Sequence, residues 1–195
     1  MITHPLSAAP APQAPALPPT LPLASAPSLR HLAEQVEAAA AAPMDQLAQR
    51  LELAFAAALA DSDLVPMQAR RGQPDRYTRH LLHADPHGRF AIVALVWGPG
   101  QFSPVHGHHT WCAYAVLGGE LTETTYSYDA QTGLATPRAT ENLQAGATRF
   151  GYAGLTAVHK LGNAGDNVAV SLHIYGIDGA RVGTHVNRLV PATQH

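Results

Sequence analysis

The chain has 195 residues, a formal net charge of −2 and 13% charged side chains, enough for one domain with a sizeable core and without the basic excess that would point to nucleic acid or an anionic membrane. It holds no run of about 18 apolar residues, so no membrane partner is expected. One cysteine, Cys112, excludes an internal disulfide and gives no pointer to an oxidising compartment, while twelve histidines invite a metal reading.

Residues 1–27 are rich in Ala and Pro, with eight prolines from Pro5 to Pro27, which prevents a continuous helix and predicts an extended, disordered arm. This stretch lacks the basic start and unbroken apolar core of a secretory signal, and the expectation is a cytoplasmic protein. From residue 28 to about 60 the pattern is helical: Leu29, Leu32 and Val36 recur at helical spacing, Pro43 interrupts, and Leu47, Leu51, Phe55 and Leu59 form a second apolar stripe. Asp61-Ser62-Asp63 ends it.

From Tyr77 the period changes. Residues 77–83, 90–97, 112–117, 121–128, 148–152, 156–161 and 168–175 read as strands, punctuated by Gly, Pro, Asp and Asn. Seven or more short strands mean a sandwich or barrel, and helices followed by strands mean a mainly β, α+β architecture. The expected organisation is one domain over 28–195, with helices in 28–62 and a barrel in 77–190, and with no internal repeat.

The densest signal is Gly100, five residues, His106-Gly107-His108, three residues, Cys112, six residues, Gly119. Imidazoles at i and i+2 on a strand project from one face, close enough to share an ion, and His159 on a later strand is a ready third ligand. His109 points to the opposite face. Three neutral imidazoles suit Zn, Fe, Ni or Cu, and they leave the ion's charge uncompensated, which attracts an anionic ligand such as hydroxide, a thiolate or a carboxylate.

Ser171, His173 and Tyr175 alternate with apolar residues, so they share a face. That face is either the wet side of an ordinary strand or a hydrogen-bond relay that aims the Tyr175 hydroxyl at a buried site. There is no G-x-S-x-G elbow to make Ser171 a nucleophile. A lone Cys112 in an apolar strand reads as core packing. Arg79, in an apolar and aromatic strand, needs an anionic partner if it is drawn inward, and its planar fork can grip a carboxylate. Arg181 and Arg188 are weaker candidates, because most arginines solvate the surface.

Taken together these segments resemble the cysteine dioxygenase family, the thiol dioxygenases of the cupin superfamily. Residues 96–108 are similar to the segment with the first two iron ligands, and 112–126, with Gly119 and Glu123-Thr124, to the strand pair that follows. His159 matches the third ligand, 171–175 the Ser-His-Tyr relay, and Tyr77-Thr78-Arg79 the carboxylate-binding strand. The resemblance implies a cupin-type jelly roll after two helices, and a mononuclear Fe(II) held by His106, His108 and His159. It further implies a small thiol and O2 as substrates with a sulfinate as product, in a monomer or small homo-oligomer. Arg79 and Tyr77 would bind the substrate carboxylate, and Tyr175, set by His173 and Ser171, would hydrogen-bond to substrate or oxygen. Cys112 and Tyr175 occupy the positions of a thioether bond found in part of the family.

Two features depart from the pattern: Gly107 replaces the usual aspartate, and His108 is one residue closer to Cys112 than in the animal enzymes. Arg79 favours cysteine as substrate. Arg181 stands near the place of the arginine in the branch acting on 3-mercaptopropionate, and both arginines at the site would suit a dicarboxylic thiol such as mercaptosuccinate. The competing readings are a Zn-dependent cupin hydrolase or lyase and a non-catalytic, small-molecule-binding cupin.

Overall fold

The structure, a computed structural model, describes residues 27–61 and 63–193; the predicted arm therefore lies outside the described residues, except Pro27. Pro27 opens α1 (Pro27–Ala40), and Pro43, with its fixed φ and extended ψ, stands immediately before α2 (Met44–Ala58). The predicted stripes are buried at Leu29, Leu32 and Val36 on α1 and at Leu47, Leu51 and Phe55 on α2, while Leu59, the predicted fourth member of the second stripe, caps the helix and is half-buried. Among the described residues no helix is long and apolar enough to cross a membrane.

Ten strands follow: β1 (Thr78–Ala84), β2 (Ala91–Trp97), β3 (His106–His108), β4 (Cys112–Gly118), β5 (Glu120–Asp129), β6 (Leu134–Gln144), β7 (Thr148–Gly151), β8 (Gly154–Gly162), β9 (Ala169–Tyr175) and β10 (Asn187–Leu189). They form two five-stranded antiparallel sheets, β1-β2-β9-β4-β7 and β10-β3-β8-β5-β6. The two sheets enclose a shared core that includes Leu95, Trp97, Val116, Leu121, Leu143 and Leu161, the double-sheet arrangement of a cupin-type jelly roll.

The first sheet is covered on both faces. Ile92, Ala94, Ala113, Ala115, Leu172 and Ile174 pack under the helices, while their neighbours along each strand face the barrel interior. This two-sided burial explains the unbroken apolar run of β2. It also decides the alternative at β9: all seven of its residues are buried, so Ser171, His173 and Tyr175 line the interior rather than a wet face.

Two strands were not foreseen. β6 carries Pro137 and little alternation; it survives as an edge strand, where a missing N–H costs no ladder bond, and its pairing with β5 slips between Thr125 and Tyr126, beside the proline. β10 has three residues, too few for any periodicity.

Truncating Phe55, which is 1% exposed, removes the largest fully buried side chain of the helical layer. Phe55→Ala is expected to destabilise the fold by about 3–5 kcal/mol, read as a lower urea midpoint at unchanged m-value.

Candidate metal centre and its chamber

The second sheet brings the three histidines together. β3 lies between β10 and β8, and His106 is directly opposite His159 in the β3–β8 pairing, which slips before His108 meets Gly154. The ring centroids of His106, His108 and His159 are 4.7–5.1 Å apart, and all three residues are buried. Each offers one ring nitrogen, and these nitrogens lie within 4.8 Å of one another.

The approach of β3 to β8 leaves no room for a side chain at position 107. A Cβ on Gly107 would lie 2.5 Å from the Gly154 carbonyl oxygen and 2.9 Å from Leu155 Cδ2. The glycine that replaces the aspartate of the resembled pattern is therefore required by local packing.

Hydrogen bonds at the outer nitrogens set the inner ones. His106 Nδ1 lies 2.8 Å from the Pro104 carbonyl, which can only accept, so Nδ1 carries the proton and Nε2 keeps its lone pair. His159 Nδ1 lies 2.6 Å from Glu123 Oε1, and its buried Nε2 has no partner. Burial, and then the neighbouring rings, hold His106 well below the ordinary histidine range; burial and His159 push His108 down to about 3. His106 and His108 are thus neutral near pH 7, as metal ligands must be, and orphaned nitrogens inside a buried cluster are what an ion would satisfy. These residues fit a divalent transition metal.

Glu123 anchors this arrangement. Burial raises its pKa, yet the hydrogen bond and charge of His159, the neighbouring Tyr114 hydroxyl and Arg149 together hold it below the usual carboxylate range. Arg149 Nε stands 3.4 Å from Glu123 Oε2 and also pairs with Glu141 at 2.7 Å. The Tyr114 hydroxyl is buried without a partner of good hydrogen-bond geometry; its influence on Glu123 is that of a nearby dipole. The Tyr114 ring stacks on His173, its cross-strand partner, at 5.1 Å and 16°.

On the other side lies a chamber of about 20 Å³ lined by the three histidines, Tyr77, Arg79, Trp97, Ser103, His173, Tyr175 and Asn187 with Leu95 and Leu161. Arg79 is 3% exposed and forms no ion pair among the described residues; its Nε has no hydrogen-bond partner. Tyr77 supports it, with its ring centroid 5.6 Å from Cζ and its hydroxyl accepting a long 3.4 Å bond from Nη2, and Tyr77 in turn stacks on Trp97 at 4.4 Å. An unpaired buried guanidinium is costly, so the chamber calls for an anion.

The relay on β9 has a direction. Trp97 Nε1 donates to Ser171 Oγ at 2.9 Å, and Ser171 Oγ lies 2.9 Å from His173 Nε2. Ser171 is fully buried, so its own proton goes to His173 Nε2, the acceptor within reach. His173, held well below the ordinary histidine range by burial, is then neutral with its proton on Nδ1, and it donates to Tyr175 Oη at 3.2 Å. The phenol keeps its own O–H free to donate into the chamber. Burial, then the nearby Cys112 thiol, push the Tyr175 pKa well above its usual value, so that proton stays on the oxygen.

The structure therefore brings together His106, His108, His159, Arg79, Tyr77, Ser171, His173 and Tyr175. Cys112 is buried as the cross-strand partner of Tyr175 and lines a second cavity of about 210 Å³ beyond His108 and His159. Arg181 is not brought in. It is exposed on a short 3₁₀ turn, Gly179–Arg181, whose buried residue is Gly179, and it does not line the chamber. His109 is exposed, as its opposite facing requires. Sequence reasoning missed the roles of Trp97, Tyr114, Arg149 and Asn187 and saw Glu123 only as part of a motif, although its alternation with buried Leu121 marks it as an inward carboxylate.

The sequence model of the family described as "Cysteine dioxygenase type I" matches residues 32–178. Curated relatives include the cysteine dioxygenase type 1 of Danio rerio, 33% identical over 105 residues, which are 51% of this chain and 51% of that protein. The protein of the same name from Homo sapiens is 37% identical over 54 residues, 27% of this chain and 26% of that one. The chain thus aligns with about half the length of the first of these relatives and about a quarter of the second. Among solved structures, a cupin superfamily protein from Desulfitobacterium hafniense matches at 15% identity and a TM-score of 0.43 over 60% of this chain and 94% of that one. A cupin 2 conserved barrel domain protein from Salinispora arenicola matches at 20% and 0.43 over 63% and 93%.

Glu123→Gln keeps the shape of the side chain but removes the charge that His159 meets. It is expected to weaken binding of Fe²⁺ or Co²⁺ about 10–100-fold in an equilibrium titration. Gly107→Asp must force β3 away from β8; about 1–3 kcal/mol of stability should go with it, and the same titration should show the metal site lost.

Proposed function

Because the chain belongs to the cysteine dioxygenase type I family, we propose that it is a mononuclear non-haem Fe(II) thiol dioxygenase that converts a small carboxylate-bearing thiol, cysteine first, and O2 to the sulfinate. The observation that carries this reading is one small chamber in which three buried imidazoles with convergent nitrogens meet a buried guanidinium that has no anion of its own. Ferrous iron held by His106, His108 and His159 would supply the redox chemistry, its uncompensated charge favouring the thiolate and both atoms of O2 ending on sulfur.

The remaining steps belong to the chain's own groups. Arg79 binds the carboxylate through its planar fork and so fixes where the sulfur falls; Tyr77 holds the guanidinium from beneath. The phenol of Tyr175, receiving a bond from His173, presents its O–H to negative charge as it develops in the chamber. Leu95, Trp97 and Leu161 keep the walls apolar and exclude water from a reactive sulfur. The cross-strand placement of Cys112 against Tyr175 supports a thioether between them, formed from the S–H and a ring C–H by a two-electron oxidation with O2 as oxidant, which intact-protein mass spectrometry would register as the loss of two hydrogens.

One feature keeps 3-mercaptopropionate as a second reading. Among the described residues no carboxylate lines the chamber, so an ammonium group would find no anionic partner among them. Mercaptosuccinate loses its support, because among the described residues Arg79 is the one arginine that lines the chamber and Arg181 is elsewhere.

Oxygen-electrode assays of the iron-loaded protein should show thiol-dependent O2 uptake with cysteine or 3-mercaptopropionate, and sulfinate as product. Arg79→Gln should raise KM for either acid at least about tenfold, and Tyr175→Phe should lower kcat roughly a hundredfold. Stoichiometric zinc in protein purified without added metal, and no thiol-dependent O2 uptake after iron loading, would instead favour a hydrolase or lyase.

A further inference from the structure

Asn187 enters the chamber from the last strand. It is the cross-strand partner of His108 in the β10–β3 pairing, so its side chain shares a face with an imidazole of the metal centre. Its Nδ2 is buried and has no hydrogen-bond partner. Among the chamber's side-chain N–H groups that can act only as donors, Arg79 Nε is the other one left in this condition. A buried donor without an acceptor carries its full desolvation cost, so it persists in a native fold where a ligand supplies the acceptor.

The two orphans are placed to act together. β1, which carries Arg79, begins one sheet, and β10, which carries Asn187, begins the other. The segment joining β9 to β10 docks on β1, where a Cβ on Gly179 would lie 2.6 Å from Ala84 Cβ, and both side chains line the same chamber. A carboxylate offers two oxygens with four lone-pair directions, more than one guanidinium fork uses.

We infer that Asn187 is a second substrate-binding donor, sharing the thiol's carboxylate with Arg79 and so making the site selective for acidic thiols over thiols that lack the acid. The inference rests on the dioxygenase reading of this chamber. It assigns the specificity to two edge strands, one from each sheet, whose orphaned donors meet on one anion.

The test is calorimetric binding to the iron-loaded full chain without oxygen, using cysteine, 3-mercaptopropionate and cysteamine, a thiol of the same class without the carboxylate. Asn187→Ala is expected to raise Kd for the two acids about tenfold and to leave cysteamine where it was. Asn187→Asp keeps the side-chain shape and carries the test if the alanine variant does not fold. Its carboxylate would occupy Arg79, so the acids should lose more than tenfold while cysteamine does not. Unchanged affinity of the variants for the acids, or equal weakening of all three thiols, overturns the inference while leaving the dioxygenase reading intact. A wild-type protein that binds none of the three overturns both.

Discussion

The close contact of β3 with β8 is the constraint on which the site depends. His106 meets His159 across it, and Gly107 approaches the Gly154 carbonyl more closely than any side chain allows. Three imidazoles are thereby driven into a buried cluster, and burial keeps His106 and His108 uncharged. The cluster costs the fold free energy as it stands, because its inner nitrogens face one another without protons to share. The outer hydrogen bonds share one effect: Pro104 and Glu123 hold a proton on Nδ1 of His106 and His159, so that in the neutral rings it is lone pairs that point inward. The cluster's set of lone pairs is thus built partly from backbone geometry and partly from a carboxylate that hydrogen-bonds the outer nitrogen of His159.

The two sheets divide the work. The second sheet supplies the three imidazoles that converge on the metal position, and Glu123 behind His159. The first sheet supplies Arg79 and the directed chain from Trp97 through Ser171 and His173 to Tyr175, and Tyr77 stands immediately before its strand β1. A polar chain can run through a buried strand because every proton but the last has an acceptor within it, and the last, on the phenol, is left for a ligand. Helices α1 and α2 contribute no group to the chamber; they cover the outer face of the sheet that holds the relay and keep its strands rigid.

Much of this was legible in the residues. The i, i+2 spacing of His106 and His108 and the alternation of Ser171, His173 and Tyr175 follow directly from strand geometry, and the apolar setting of Arg79 raised the case of an inward arginine in need of an anion. Other features were not legible. The Pro137 strand survives only because it lies at a sheet edge, which is a property of the assembled sheet. Asn187 sits on three residues of strand whose pairing with His108 depends on a long connection from β9. Arg181 stands six residues after Tyr175, but distance along the chain says nothing of direction: Asp178 accepts from the Ala180 N–H, the turn closes with Gly179 inward, and the guanidinium is left at the surface. Sequence patterns register what periodic elements do and are silent about turns that decide which way a single side chain faces.

The most direct measurement is iron K-edge X-ray absorption of the resting, anaerobically loaded protein. The account predicts one iron per chain with the scattering of three imidazole rings and no protein sulfur or Glu123 carboxylate bound to it. Two imidazoles or fewer, or sulfur from Cys112 in the coordination shell, would contradict it.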